Sequence, residues 1–211
     1  MSGHLLVTGF GPFPRVPVNP SEILARRLAA HPRLRRLLGG LPRLLVLRTA
    51  YDAIEESLVP ALALGPAAIL MFGVATRAKR VRVEMRAINR ASRLFPDVSG
   101  RMPVRLCLDA DGPNQRRSPA SIKALTRLRV RDRSCTLSRD AGRYLCNASY
   151  YRALQEECPV LFLHIPPLAR NGRRMSQLVE GAVEVADELM REARGAAFRK
   201  KTLRIETKKV R

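Results

Sequence analysis

Short apolar runs of strand length, separated by stretches with helical spacing, constrain the fold of this chain more than any other feature. The apolar runs lie at 5–8, 44–47, 67–72 and 160–164. Strands that are apolar throughout are typical of parallel sheets whose two faces are both covered by helices. The segments with helical spacing lie at 20–28, 52–64, 120–128, 147–157 and 175–192. The sequence therefore predicts a single-domain α/β/α sandwich with a mostly parallel, twisted sheet and helices on both faces.

The length of the chain suits one domain with a full-sized core, because 211 residues fall within the usual range for a single domain. We assign residues 1–195 to this domain. Residues 196–211 form a basic C-terminal segment, which we interpret as a solvated tail. Its basic residues are Arg199, Lys200, Lys201, Lys208, Lys209 and Arg211.

The formal net charge of +21 is large enough to suggest nucleic acid as a partner. The basic residues are mostly arginines, however, and they are scattered among leucines and alanines along the whole chain. Such a distribution indicates a compositional bias rather than a binding surface. A basic nucleic-acid-binding protein is kept as the alternative from a different functional class.

Three further features bear on cellular location. The uncharged run at 58–74 is interrupted by Pro60 and by Gly65 and Pro66, so it predicts a helix end, a turn and a buried strand rather than a membrane span. No signal-like segment precedes the first strand pattern. The four cysteines, at positions 107, 135, 146 and 158, lack both paired and zinc-binding spacing. We therefore expect free thiols and a cytoplasmic location.

Several candidate functional groups follow predicted strands directly. In open α/β sheets ligands bind beyond the carboxyl ends of the strands. The loop at 9–13, Gly73, Cys146 and His164 each occupy such a position, so we expect them to share one edge of the sheet. The loop contributes two phenyl rings, Phe10 and Phe13, which either seal the core or form a flat apolar slot for a small ring.

Cys146 is the strongest candidate for chemistry. It lies where a predicted helix begins, and the positive end of a helix dipole favours the nucleophilic thiolate. His164 ends a buried strand and could act as its base, although a structural histidine is an alternative. Glu84 ends an alternating strand at 81–83. It could orient a histidine, or it could be a salt-bridge partner.

Four motifs in the same order resemble those of the pyroglutamyl-peptidase I family, also called pyrrolidone-carboxylate peptidases. The motifs are Val-Thr-Gly-Phe-Gly-Pro-Phe at 7–13 followed by Asn-Pro-Ser at 19–21, Glu-Met-Arg-Ala-Ile-Asn at 84–89, Ala-Gly-Arg-Tyr-Leu-Cys-Asn at 141–147, and Phe-Leu-His-Ile-Pro at 162–166. The resemblance extends from Val7 to Leu189.

The resemblance implies a cysteine peptidase, that is, a hydrolase that removes N-terminal pyroglutamate from peptides without a metal or cofactor. It implies Cys146 as the nucleophile, His164 as general base and acid, and Glu84 as the residue that orients the histidine. The substrate pocket would consist of Phe10, Phe13, Val74, Phe95, Tyr144 and Leu145. Family members are often dimers or tetramers, so the expected partners are N-terminally pyroglutamylated peptides and further copies of the chain, rather than a membrane or nucleic acid.

One loop departs from the family pattern. Residues 73–77 read Gly-Val-Ala-Thr-Arg, where the family has a Gly-Gln-Ala-Gly-Gly-like sequence. The glutamine is replaced by Val74, and Arg77 stands at a glycine position. An altered acyl specificity, or weak or absent activity, therefore stays open as an alternative.

Overall fold

The computed structural model describes residues 3–14 and 16–209, and of residues 200–209 only the backbone. Residues 1 and 2, which belong to the segment before the first predicted strand, lie outside this range. So do Arg211 and the other side chains of the predicted basic tail beyond Arg199. The division at residue 195 stays a prediction.

A six-stranded mixed sheet forms the centre of the molecule. Its strands are β1 (Leu5–Phe10), β2 (Arg43–Leu47), β3 (Ala68–Val74), β4 (Arg82–Glu84), β7 (Thr136–Ser138) and β8 (Val160–Ile165). They lie side by side in the order β2-β1-β3-β8-β4-β7. All neighbouring pairs are parallel except β4 and β8, which are antiparallel. Two short strands, β5 (Arg86–Ile88) and β6 (Gln115–Arg117), form a separate antiparallel pair. The expected mostly parallel sheet is confirmed.

Helices cover both faces of the sheet. They are α1 (Pro20–Ala29), α2 (Pro32–Leu38), α3 (Val59–Ala63), α4 (Ser121–Arg129), α5 (Leu145–Ala153) and α6 (Arg173–Lys209), with a π-helical turn at Ile54–Leu58 before α3. One apolar cluster joins the sheet to α1, α2, α4 and α6. The other joins it to α3 and α5. The α/β/α sandwich is therefore confirmed.

Strand periodicity determines which side chains reach which face. Leu161 and Leu163 of β8 belong to the cluster under α6, whereas Val160 and Phe162 belong to the cluster under α5. Because successive side chains of a strand alternate, His164 shares the α5 face with Phe162. This face carries the chemistry described below.

The structure corrects several element boundaries. Strand β1 extends through Phe10, so this residue lies in the sheet and not in a loop. Helix α2 was not predicted, and α6 continues to Lys209, well beyond the expected end at residue 192. Helix α5 begins at Leu145 rather than Asn147. The irregular section expected at 89–118 is confirmed for residues 89–114, whereas residues 115–117 near its end form β6.

The uncharged run at 58–74 is divided as expected, between α3 and β3. In the part of the chain that the structure describes, no helix combines the length and apolar character needed to cross a membrane.

Candidate active site

Cys146 and His164 meet at the edge of the sheet where β3 and β8 end. The register of these strands places Gly73 beside His164. A Cβ atom on Gly73 would lie 2.8 Å from the sulfur of Cys146 and 2.7 Å from the ring of Phe162. The Cys146 thiol therefore occupies the space that a side chain at position 73 would take, one strand away from His164.

Cys146 reaches this position from the first turn of α5. The expectation that it directly follows a strand is wrong, since residues 141–144 are irregular and β7 ends at Ser138. The first intrahelical bond of α5 joins the Ala148 N–H to the Tyr144 carbonyl. The N–H groups of residues 145–147 therefore lack intrahelical acceptors and face the same end of the helix as the thiol. This is the positive end of the helix dipole.

Glu84 lies beside His164 on the neighbouring strand. The carboxylate Oε1 of Glu84 is 2.8 Å from Nδ1 of His164. Both side chains are buried, Glu84 completely and His164 with 7% exposed. The antiparallel register places Glu84 opposite Phe162 and Arg82 opposite His164, so all four side chains lie on the α5 face. Since Nδ1 is used by Glu84, Nε2 is the nitrogen left for Cys146.

Two aromatic residues support the Glu84–His164 pair. Phe162 packs against the His164 ring, with the ring centroids 4.8 Å apart. Tyr150 of α5 donates a hydrogen bond from its hydroxyl to the Glu84 carbonyl at 2.9 Å, which fixes the end of β4. The Oε2 atom of Glu84 is buried and has no hydrogen-bond partner among the described residues. Among the described residues, the side chain of Glu84 is therefore hydrogen-bonded to His164 alone.

These surroundings change the acidity of His164. Burial lowers the pKa of the imidazole, but the charge of Cys146 and the hydrogen bonds to Cys146 and Glu84 outweigh it and raise the pKa to about 9. The raised pKa favours the imidazolium form of His164 at neutral pH, next to the sulfur of Cys146. In contrast, burial raises the pKa of the Cys135 and Cys158 thiols to about 11, which makes them unreactive. The described His, Cys, Asp and Glu side chains form no group that could hold a metal ion.

Two asparagines that sequence reasoning missed position the site. Asn147 accepts a hydrogen bond from the Ile88 N–H and donates to the carbonyls of Ile88 and Arg90. Asn89 accepts from the Leu108 and Asp109 N–H groups. Both belong to motifs that carry the family resemblance, so their presence in those motifs was the available signal. Asn147 ties α5 to the end of β5, and Asn89 ties the end of β5 to the irregular section.

The predicted ring slot lies on the β1 side of Cys146. Phe10 is 4% exposed and belongs to the same apolar cluster as Leu145. Tyr144 and Cys146 are partly buried and pack against this cluster. Phe13 is half-buried, in a loop closed by hydrogen bonds with Val16. Phe10 therefore serves the core and borders the site at once. Substrate binding by these side chains stays a prediction.

The positions of the two remaining predicted pocket residues, Val74 and Phe95, are less suited to contact a substrate beside Cys146. Val74 follows Gly73 in β3, so its side chain points to the face opposite Cys146 and only its backbone can border the site. Phe95 is 63% exposed. Its segment nevertheless reaches the site, because Tyr144 donates a hydrogen bond to the carbonyl of the adjoining Pro96 at 2.9 Å.

Known proteins share this sequence and this fold. A family model described as pyroglutamyl peptidase matches residues 3–171. The pyrrolidone-carboxylate peptidase of Chromobacterium violaceum is 33% identical over 173 residues, which cover 81% of this chain and 80% of that protein. Human pyroglutamyl-peptidase 1 is 31% identical over 202 residues, with coverage of 90% and 93%.

The structural comparison agrees. The crystal structure of pyrrolidone carboxyl peptidase from Thermus thermophilus superposes with a TM-score of 0.76 at 29% identity, and covers 87% of this chain and 98% of that chain. The matched region contains Cys146, His164 and Glu84. Together with the family match over residues 3–171, this shows that the chain belongs to the pyroglutamyl peptidase family of cysteine peptidases.

Proposed function

We propose that this protein removes N-terminal pyroglutamate from peptides, with Cys146 as nucleophile, His164 as acid and base, and Glu84 as the residue that orients His164. The observation that carries the proposal is the buried Glu84–His164 hydrogen bond beside Cys146, in a chain of this family. The relatives named above support the substrate class through their names.

The acylation step follows from the charges on the two groups. The sulfur of Cys146 attacks the carbonyl carbon that joins pyroglutamate to the next residue. The Nε2 proton of His164 then passes to the leaving amine as the C–N bond breaks, which leaves a thioester and a neutral imidazole. In the second step His164 accepts a proton from water, whose oxygen attacks the thioester and releases pyroglutamate. The pKa of about 9 suits proton donation at neutral pH.

The developing oxyanion requires hydrogen-bond donors close to Cys146. The unpaired N–H groups in the first turn of α5 are such donors, and they need no rearrangement. One lost oxyanion donor typically costs about 100- to 1000-fold in rate. The changed sequence at 73–77 does not remove the donors of α5, which supports activity despite that departure.

The ring slot explains why a small neutral acyl group suits this site. Pyroglutamate has a flat, uncharged lactam ring, and Phe10 and Tyr144 offer apolar and aromatic surface in the same cluster as Cys146. Phe13, three residues after Phe10, would add a second phenyl ring. A free glutamate or a long side chain would bring charge or bulk into this surface. These side chains therefore select the acyl group, while Cys146 and His164 act on the bond beyond it.

A fluorogenic pyroglutamyl amide tests the proposal. The unaltered protein should release the fluorophore, and Cys146→Ala should reduce kcat by at least about 10⁴-fold. Cys107→Ser, which changes an exposed cysteine, is the matched control and should retain activity. Equal background release by the unaltered protein and Cys146→Ala would reject the proposal.

Two further properties are part of the proposal. All four cysteines are free in the structure, which supports a reducing, cytoplasmic compartment. A dimer or tetramer is proposed from the family resemblance, and light scattering of the purified protein would test it.

A further inference from the structure

The direction in which the leaving peptide crosses the site follows from the order of the strands. The aromatic slot lies at the end of β1, Cys146 lies against Gly73 of β3, and His164 lies on β8. The acyl ring therefore lies on the β1 side of the nucleophile. The leaving amine must lie on the other side, within reach of the proton of His164. Beyond His164 the next strand is β4.

Arg82 is the residue that the leaving peptide meets on β4. It lies directly opposite His164 in the antiparallel pair, so the two Cβ atoms are about 5 Å apart on the same face of the sheet. Its side chain is exposed, unlike that of Glu84 on the same face. Within the described part of the chain, Arg82 forms no ion pair with a carboxylate. A solvated cation thus borders the leaving-group side of the site.

The loop between β3 and β4 adds to this charge. Residues 75–83 contain Arg77, Lys79, Arg80 and Arg82 but no acidic residue. The loop is held in place, because the Ala75 N–H donates to the Ile165 carbonyl at 2.9 Å and the Ala78 N–H donates to the Ala75 carbonyl. None of the four cations is in an ion pair among the described residues.

We propose that Arg82 and Arg77 form a cationic wall on the leaving-group side, and that this wall binds a carboxylate of the leaving peptide. The carboxylate comes either from an acidic side chain at the residue after pyroglutamate or from the C-terminus of a dipeptide. The proposal rests on the proposed function and defines its substrate class more closely. Neutral leaving groups are processed at the basal rate, and anionic ones bind more tightly.

Three matched peptides separate the two sources of the carboxylate. Pyroglutamyl-glutamine amide is neutral, pyroglutamyl-glutamate amide adds only a side-chain carboxylate, and pyroglutamyl-glutamine with a free C-terminus adds only a terminal one. At least one anionic peptide should have a kcat/KM about three- to ten-fold above that of the neutral peptide at low salt, and the excess should shrink as salt is added.

Variants identify the groups responsible. Arg82→Gln should lower the anionic-to-neutral ratio of kcat/KM about two- to five-fold, and Arg77→Gln should lower this ratio less. The matched control is Arg36→Gln, an exposed arginine of α2 on the other face of the sheet. A ratio near one in the unaltered protein, or an equal loss in Arg36→Gln, would overturn the proposal.

Alkylation gives a second readout that does not depend on pyroglutamyl turnover. Iodoacetate is an anion and iodoacetamide is neutral. Each alkylates the sulfur of Cys146: a bond forms between the sulfur and the CH₂ carbon of the reagent as iodide leaves. The ratio of the two rates at Cys146, followed by mass spectrometry, should fall about two- to five-fold in Arg82→Gln. Exposed Cys107 is the internal reference. An unchanged ratio would reject the wall, whereas loss of peptide turnover alone would reject only the proposed function.

Discussion

The buried Glu84–His164 pair and the exposed loops proposed to face the substrate differ in how tightly the fold determines them. His164 and Glu84 lie on adjacent strands, and both are buried. Phe95 and Arg77 lie outside the helices and strands, and both are exposed. A change at a buried pair disturbs packing and chemistry together, whereas an exposed loop residue can change with little effect on stability. The difference explains how a family reaction can be retained while the surroundings of the substrate diverge.

Apart from loss of the nucleophile itself, the largest effect should come from the boundary between the two regions, at Gly73. In Gly73→Ala the added methyl group would overlap the Cys146 sulfur and the Phe162 ring, so the thiol must move away from His164. Displacements of about 1 Å at a reacting atom cost about 100-fold in rate. We expect a kcat/KM loss of that size for the fluorogenic amide.

Gly40→Ala provides the control, since a methyl group there has no atom within 4 Å. Comparable losses in both variants would mean that overall stability, rather than the position of the thiol, limits activity.

The next effect concerns the buried pair. Glu84→Gln keeps the shape of the side chain but removes the charge and weakens the hydrogen bond that help raise the pKa of His164. Below about pH 9 the imidazole holds the proton that the leaving amine needs, and above it that proton is lost. Activity should therefore fall on the alkaline side near pH 9 in the unaltered protein. In Glu84→Gln the fall should occur at lower pH, with kcat about 10- to 100-fold lower at pH 8.

pH profiles of kcat and of kcat/KM measure the position of the alkaline fall and the loss in kcat at pH 8. An alkaline limb at the same pH in the two proteins would show that Glu84 does not influence His164.

A smaller effect distinguishes the aromatic residues of the substrate side. Phe13→Ala removes a half-buried ring from the predicted slot, and the lost apolar contact should raise KM about ten-fold. Phe95→Ala removes a ring that is already 63% exposed, and KM should change by less than about two-fold. Steady-state kinetics would compare them. A larger KM effect for Phe95→Ala would move the acyl slot towards the irregular section.

The same contrast explains what could be predicted from the sequence. The central strands were located because buried parallel strands are apolar throughout, and His164 was placed correctly at the end of one of them. Helix α1 was located by Asn19, whose side chain accepts a hydrogen bond from the Ser21 N–H at the helix start. Local patterns were sufficient for both.

Other features depend on contacts that no local pattern contains. The separate β5–β6 pair consists of three-residue strands that contain arginines, and its strand β5 is bonded to the distant Asn147. The approach of Cys146 to Gly73 joins residues 73 positions apart. Strand β3 continues through Gly73 to Val74, beyond the predicted end at residue 72. Because the side chains of a strand alternate, Val74 therefore faces away from the thiol.

The account rests on a proton held by His164 opposite the sulfur of Cys146, and an NMR titration of the His164 ring measures this directly. The signal is assigned through its loss in His164→Ala. The account predicts a midpoint of about 9 in the unaltered protein. In Cys146→Ala the midpoint should fall, because the charge of Cys146 is the largest influence raising it and burial acts in the opposite direction. A midpoint near the ordinary histidine value of about 6.5, unchanged by Cys146→Ala, would contradict it.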